Sequence, residues 1–285
     1  MNPYLEYVAS FACLVREGRT LPLGGFEMPV HPPVPSGAPV AMVFSPHPDD
    51  ECIVGGLALR LLREARMRVI NVAVTLGSKK ERQGPRLAEL REACRYLGFE
   101  LVQTTPTGLE KVSPRRRVED ASGWASMVQI IAALMTQHKP SVVFFPHDKD
   151  WNSTHEGVHY LVADALQQLG STFQCWTVET EYWGQMTDPN LMVELTENDL
   201  ADLIAGISFH VGEVQRNPYH ILLPAWMQDN VRRGGELVGG QGGAAPDFKF
   251  ATLYRLRRWR NGGFERFYTG GRNLPATTTP ATLFG

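Results

Sequence analysis

The sequence has no C-x-x-C pair, no long apolar run, no basic leader and no excess of one charge, and each absence removes a class of protein. Its four cysteines, Cys13, Cys52, Cys94 and Cys175, are scattered through 285 residues. That spacing suits reduced thiols better than a disulfide framework or a cysteine zinc site. With 28 basic and 30 acidic side chains the formal charge is −2, which points to no dedicated surface for nucleic acid or anionic lipid. No apolar run reaches membrane-spanning length, and M-N-P-Y-L-E-Y-V-A-S carries no basic n-region. The expectation is a cytoplasmic protein with neither a nucleic-acid nor a membrane partner. Internal repeats are absent as well.

What is present alternates. A helix over residues 1–18 and a Pro/Gly-rich linker precede the body of the chain. From residue 39, apolar runs of strand length (A-P-V-A-M-V-F-S, M-R-V-I-N-V-A-V-T-L, F-E-L-V-Q-T, P-S-V-V-F-F-P, F-Q-C-W-T-V-E-T-E-Y-W) trade places with segments of helical spacing. The first of those helices is expected to run unbroken through E-C-I-V-G-G-L-A-L-R-L-L-R-E-A. Gly98 stands in a C-cap position after P-R-L-A-E-L-R-E-A-C-R-Y-L. Runs apolar on both faces belong to parallel strands, and this rhythm predicts βαβ units. The expected fold is α/β: a Rossmann-like open, mostly parallel sheet with helices on both faces, in a single domain. Its expected boundaries are residues 1–38 for the N-terminal helix and linker, 39–270 for the domain and 271–285 for a C-terminal tail.

Two polar clusters follow strands, and in such folds ligands bind beyond the strands' carboxyl ends. F-S-P-H-P-D-D-E (44–51) packs acids together between prolines that forbid a helix, an arrangement with no folding advantage. P-H-D-K-D-W-N-S-T-H-E-G-V-H (146–159) follows a later strand in the same way. Together they offer His47, Asp49, Asp50, His147, Asp148, Asp150, His155 and His159. Histidine nitrogens with a carboxylate are the ligand set of a catalytic zinc. As a lone acidic loop, P-H-P-D-D-E would instead cap the next helix; two such clusters at one sheet edge favour a metal site.

P-H-P-D-D-E after an apolar strand, with G-G in the following helix, resembles the PIG-L (LmbE-like) family of zinc-dependent N-deacetylases. R-L-A-E-L-R-E-A-C-R-Y-L-G is similar to the family's R-x-x-E segment and places Arg86 and Glu89. N-S-T-H stands where the family usually has H-P-D-H, and F-H-V-G-E-V-Q resembles its C-terminal histidine segment. The resemblance implies that His47, Asp50 and His155 hold Zn²⁺, and that Asp49 is the general base for water attack on an acetamide. Asp49 or His210 then protonates the leaving amine. Asn152 replaces the family's first histidine of H-P-D-H, and Thr154 its aspartate. Asparagine offers only a neutral donor, so His147 or His210 is a candidate to take over that histidine's work. Arg86, Asn152 and His147 are the candidate substrate contacts.

The implied substrate is a small amino-sugar compound of the N-acetylglucosamine type. Tyr182 and Trp183 are candidate sugar-stacking aromatics, weighed against a place in the core. Lys79, Lys80, Arg82 and Arg86 are candidates to meet an acidic group or to form a solvated run. V-R-R-G-G-E-L-V-G-G-Q-G-G-A-A-P (231–246) is either a lid or a surface loop. A metal-dependent hydratase or other hydrolase acting on a small carboxylic acid is the alternative on the same scaffold. A Rossmann-like binding protein without activity is another, and a homo-oligomer is left open.

Overall fold

The computed structural model describes residues 2–285. The chain runs α1 (Leu5–Gly18), β1 (Val40–Ser45), α2 (Asp50–Ile53), α3 (Gly56–Arg63), β2 (Arg68–Ala73), α4 (Lys80–Leu97), β3 (Glu100–Gln103), α5 (Pro114–Glu119) and α6 (Ala121–His138). It continues β4 (Val142–Pro146), α7 (Ser153–Leu169), β5 (Cys175–Thr180), β6 (Leu191–Leu195), α8 (Glu197–Ser208), α9 (Val211–Val214), α10 (Leu223–Leu237), β7 (Phe250–Arg260), β8 (Gly263–Glu265) and β9 (Arg272–Leu274). Short 3-10 turns occupy Tyr219–Leu222 and Pro280–Leu283. Among the described residues no helix is long and apolar enough to cross a membrane.

One mixed, nine-stranded sheet carries the fold, in the order β3-β2-β1-β4-β5-β7-β6-β9, with β8 beside β7. The first five strands are parallel, β7 runs antiparallel to β5 and β6, and β9 lies parallel to β6. β1 shows why its sequence is apolar throughout. Ala41 and Val43 enter the core on one face, under α3, α4 and α8, while Met42 and Phe44 enter the core under α6 and α7. Strand order reverses between β1 and β4, so the loops after these two strands open into one crevice.

Three expectations need correction. The helix foreseen through residues 51–65 breaks into α2 and α3 around Val54 and Gly55. The break lets Gly56 approach β6 closely: a Cβ there would stand 2.8 Å from Leu195 Cδ2. Residues 271–285 are no tail. β9 belongs to the sheet, Leu274 and Leu283 are fully buried, and the buried Arg60 guanidinium donates to the carbonyls of Pro275 and Thr278. Nor is 231–246 one loop, because its first half finishes α10, which packs on β7. Gly234 permits that packing, since a Cβ would lie 3.0 Å from Leu253 Cδ2 of β7 and 2.5 Å from Met192 Sδ of neighbouring β6. The Pro/Gly-rich linker also lies against the body, with Phe26 edge-on to Phe209 and Gly24 N donating to Ser208 Oγ.

Candidate active site

The 46–49 turn is held by its own carbonyls. Pro46 O accepts from the Thr75 hydroxyl at 2.7 Å, and Pro48 O accepts from Arg86 Nη2 at 3.0 Å. The prolines thus leave acceptors free for neighbouring elements. Asp49 follows with φ 109°, a left-handed backbone that a non-glycine residue adopts only under constraint. The constraint is Glu51, whose Oε2 accepts from Asp49 N at 2.9 Å. This twist turns Asp49 and Asp50 to different tasks. Asp50 Oδ2 accepts from His47 N at 2.8 Å and faces the loop after β4.

From that second loop, α7 brings in His155. His47 Nδ1 and His155 Nε2 are 3.2 Å apart, and each lies 3.4 Å from Asp50 Oδ2. Ligands 2.0–2.1 Å from a tetrahedral zinc stand about 3.3–3.4 Å apart, so the three donor atoms outline one face of such a tetrahedron. Asp50 and His155 are buried, while His47 keeps access to the cleft. Two imidazoles and a carboxylate fit Zn²⁺ in number, chemistry and spacing.

The electrostatics agree with a cation-binding cluster. Burial opposes ionisation of Asp50, but His155 and His47 outweigh it and hold its carboxyl well below the usual range. Burial pulls His155 down, yet Asp50 and Asp150 reverse the balance and raise it to about 10. Asp49 behaves oppositely. Burial first, then the charge of Asp50, pushes its carboxyl up to about 7, against the pull of His210 and Arg86. A carboxylate near neutrality suits a general base.

The remaining sequence candidates part company. Arg86 lines the cleft, with Nη2 4.0 Å from Asp49 Oδ2. Asn152 caps α7 instead, its Oδ1 accepting from Thr154 N and His155 N. His147 is buried and its ring nitrogens are both engaged by backbone, Nε2 donating to Gly184 O at 2.8 Å and Nδ1 accepting from Lys149 N. It therefore fixes a loop and has no nitrogen left for substrate, which corrects its expected role. His210 is fully buried, with Nε2 2.8 Å from Glu51 Oε1. Its place is behind the 46–51 turn, and it reaches Asp49 through Glu51. Neighbouring Glu51 outweighs burial and raises its pKa. Tyr182 is buried edge-on to the His155 ring at 4.6 Å, whereas Trp183 stays partly exposed. Asp148 and Arg82 are tied up in ion pairs with Arg255 and Glu213, and His159 donates to Pro146 O.

Three residues take places that the sequence does not announce. Asp150 is fully buried, with Oδ1 2.9 Å from His155 Nδ1. That contact is close but bent off hydrogen-bond alignment, and neither atom has another partner. A carboxylate there orients the imidazole so that Nε2 faces the other donors. Glu51 bridges His210 and the Asp49 backbone. Tyr219 donates its hydroxyl to Asp49 Oδ2 at 2.5 Å from 170 residues away, a contact no local pattern announces.

The cleft beside His47 has a volume of about 420 Å³. Thr154, Gln83 and Arg86 contribute to its walls, and Lys80 and Lys111 add cations.

Fold and cluster together define an α/β protein with a candidate metal centre at the switch point of its sheet. Residues 42–166 match the PIG-L family model, GlcNAc-PI de-N-acetylase. No curated protein sequence matches it. Among solved structures it is similar to N,N'-diacetylchitobiose deacetylase from Pyrococcus horikoshii, with 16% identity and a TM-score of 0.53 over 90% of this chain and 93% of that one. The A40926 pseudoaglycone deacetylase Dbv21 aligns over 78% of this chain and 97% of its own, with 14% identity and a TM-score of 0.55. GalB, the 4-carboxy-2-hydroxymuconate hydratase from Pseudomonas putida, aligns over 82% and 100%, with 14% identity and a TM-score of 0.57. At these identities the likeness is one of fold.

Proposed function

We propose that this protein is a zinc-dependent N-deacetylase that hydrolyses the acetamide of an amino sugar of the N-acetylglucosamine type. The observation that carries the reading is the near-equilateral spacing of 3.2, 3.4 and 3.4 Å among His47 Nδ1, His155 Nε2 and Asp50 Oδ2, beside an unliganded Asp49. The PIG-L match and the deacetylases that share the fold support the same choice. Zinc held by the three residues would supply Lewis acidity and would make water more acidic.

Asp49 takes the proton from the attacking water. Tyr219 occupies its Oδ2, which leaves Oδ1 for that water and fixes the carboxylate plane. The proton moves from Asp49 to the departing nitrogen, so that amine and acetate separate as stable products. Asn152 spends its carbonyl oxygen on the α7 cap and His147 both ring nitrogens on backbone, and the cationic or hydroxyl donors in contact with Asp49 are Arg86 and Tyr219. Arg86 is charged and lines the cleft, so it is assigned to the developing oxyanion. His210 acts one step back as a positioning residue, holding Glu51 and through it the strained Asp49 backbone.

A second reading rests on the cations Lys80, Arg86 and Lys111 at the cleft, which suit a carboxylate substrate, and on the hydratase that shares the fold. Acetate release separates the two. The zinc-loaded protein should liberate acetate from N-acetylglucosamine or a simple glycoside of it, and should leave unsaturated carboxylic acids unhydrated. Hydration of such an acid without acetate release from any N-acetyl sugar would replace the proposal with the second reading.

A further inference from the structure

Cations line the cleft, and a row of aromatic rings reaches Asp49 through Tyr219; its outer member, Trp183, is accounted for by neither the reaction nor the core. Trp183 is 39% exposed although it sits among site residues. Its ring stands 6.1 Å from Tyr219 in edge-on geometry, and 6.2 Å from Trp226 with the planes at 29°. Tyr219 is the residue bonded to Asp49, so the aromatic row begins at the proposed base.

The loop presenting Trp183 is rigid. Asp150 Oδ2 accepts from the backbone amides of Tyr182 and Trp183, at 3.2 Å each, while its other oxygen faces His155. His147 Nε2 holds Gly184 O, and Glu181 is clamped by Arg233 in a buried, two-pronged ion pair. Gly184 is needed for the loop to lie flat, because a Cβ would stand 2.6 Å from Asp150 carbonyl atoms. A large ring left in water costs hydrophobic free energy. Holding one in a fixed pose, backed by a second indole and anchored to a residue that orients His155, is the construction of a stacking surface.

We propose that Trp183 is a specificity-determining residue that stacks against the flat apolar face of a ring in the substrate, next to the scissile amide. The ring is either the C–H face of the amino-sugar pyranose or an aromatic group attached to it. Both present a flat, weakly polar face to an indole. The proposal rests on the deacetylase reading, and it adds the requirement for a ring and names the residue that senses it.

The test compares three N-acetyl compounds on wild type, Trp183→Ala and Trp183→Phe: N-acetylglucosamine, its 4-nitrophenyl glycoside, and the acyclic N-acetylethanolamine. Trp183→Ala should raise KM about tenfold for ring substrates while kcat stays within about twofold, the size of a lost stacking contact. N-acetylethanolamine should be equally poor with both proteins, and Trp183→Phe should recover most of the lost affinity. A KM effect on both ring compounds assigns the platform to the pyranose, and an effect on the aryl glycoside alone assigns it to the aromatic group. Zinc content and melting temperature should not change. Equal losses for cyclic and acyclic compounds, or unchanged KM throughout, would overturn the proposal. If wild type releases acetate from none of them, the deacetylase reading fails on its own. Stacking is then read from calorimetric binding of the two ring compounds, and equal affinity for wild type and Trp183→Ala would overturn it.

Discussion

Purified His155→Ala protein is expected to lose most of its zinc and to remain folded. His155 Nε2 is one of the three convergent donors of this cluster, and two ligands do not make a tight zinc site. The substitution also removes the imidazole that faces the buried Asp150 carboxylate 2.9 Å away. A buried carboxylate that loses its charge partner lowers stability by about 1–3 kcal/mol. The helix itself should persist, because Asn152 still caps α7 and Leu161, Val162 and Leu166 still anchor it in the core. Elemental analysis with far-ultraviolet circular dichroism separates the two effects. Unchanged zinc in a folded variant would remove His155 from the ligand set.

Asp49→Asn should do the reverse, keeping zinc and losing turnover. The Asp49 side chain is not one of the three clustered donors, and the Tyr219 hydroxyl can still donate to an amide oxygen in its place. What disappears is a carboxylate whose pKa is pushed up to about 7 by burial and by Asp50. Loss of a positioned general base typically lowers rate by about 10²–10⁴-fold. Steady-state kcat on a zinc-replete sample measures it, and near-normal turnover would move the base to another group. Glu51 is a poor substitute, since its oxygens already serve His210, Cys52 and the Asp49 amide.

The contrast between these two residues shows what could be read in sequence. His47, Asp49, Asp50 and His155 stand in short polar runs directly after apolar strands, and the parallel sheet dictates that such runs share an edge. β1 and β4 were readable for the same reason, because burial on both faces leaves an unbroken apolar signature. The antiparallel half was not. β7 reads F-A-T-L-Y-R-L-R-R-W-R, and its arginines look solvent-facing until Glu179 of β5 is seen pairing with Arg255 and Arg257. β9 has only three residues, and its strand character comes from β6 alone.

Within the site, three candidate residues show what sequence order hides. His147, Asn152 and His210 have the chemistry for catalysis, but each is used by a partner that sequence order does not reveal: Gly184, the α7 amides and Glu51. Asp150, offered only as one more possible ligand, and Tyr219, not singled out, show the complementary case. Their importance comes from what they touch, and those contacts exist only after β5 and the 219–222 turn have packed against the crevice.

The most direct measurement is a zinc titration of acetate release, starting from metal-stripped protein and an N-acetylglucosamine glycoside. The account predicts activity rising in proportion to added zinc and breaking to a plateau at about one equivalent per chain, the stoichiometry of one three-ligand site. Acetate release that is full before any zinc is added, or that never appears at any zinc concentration, would contradict it.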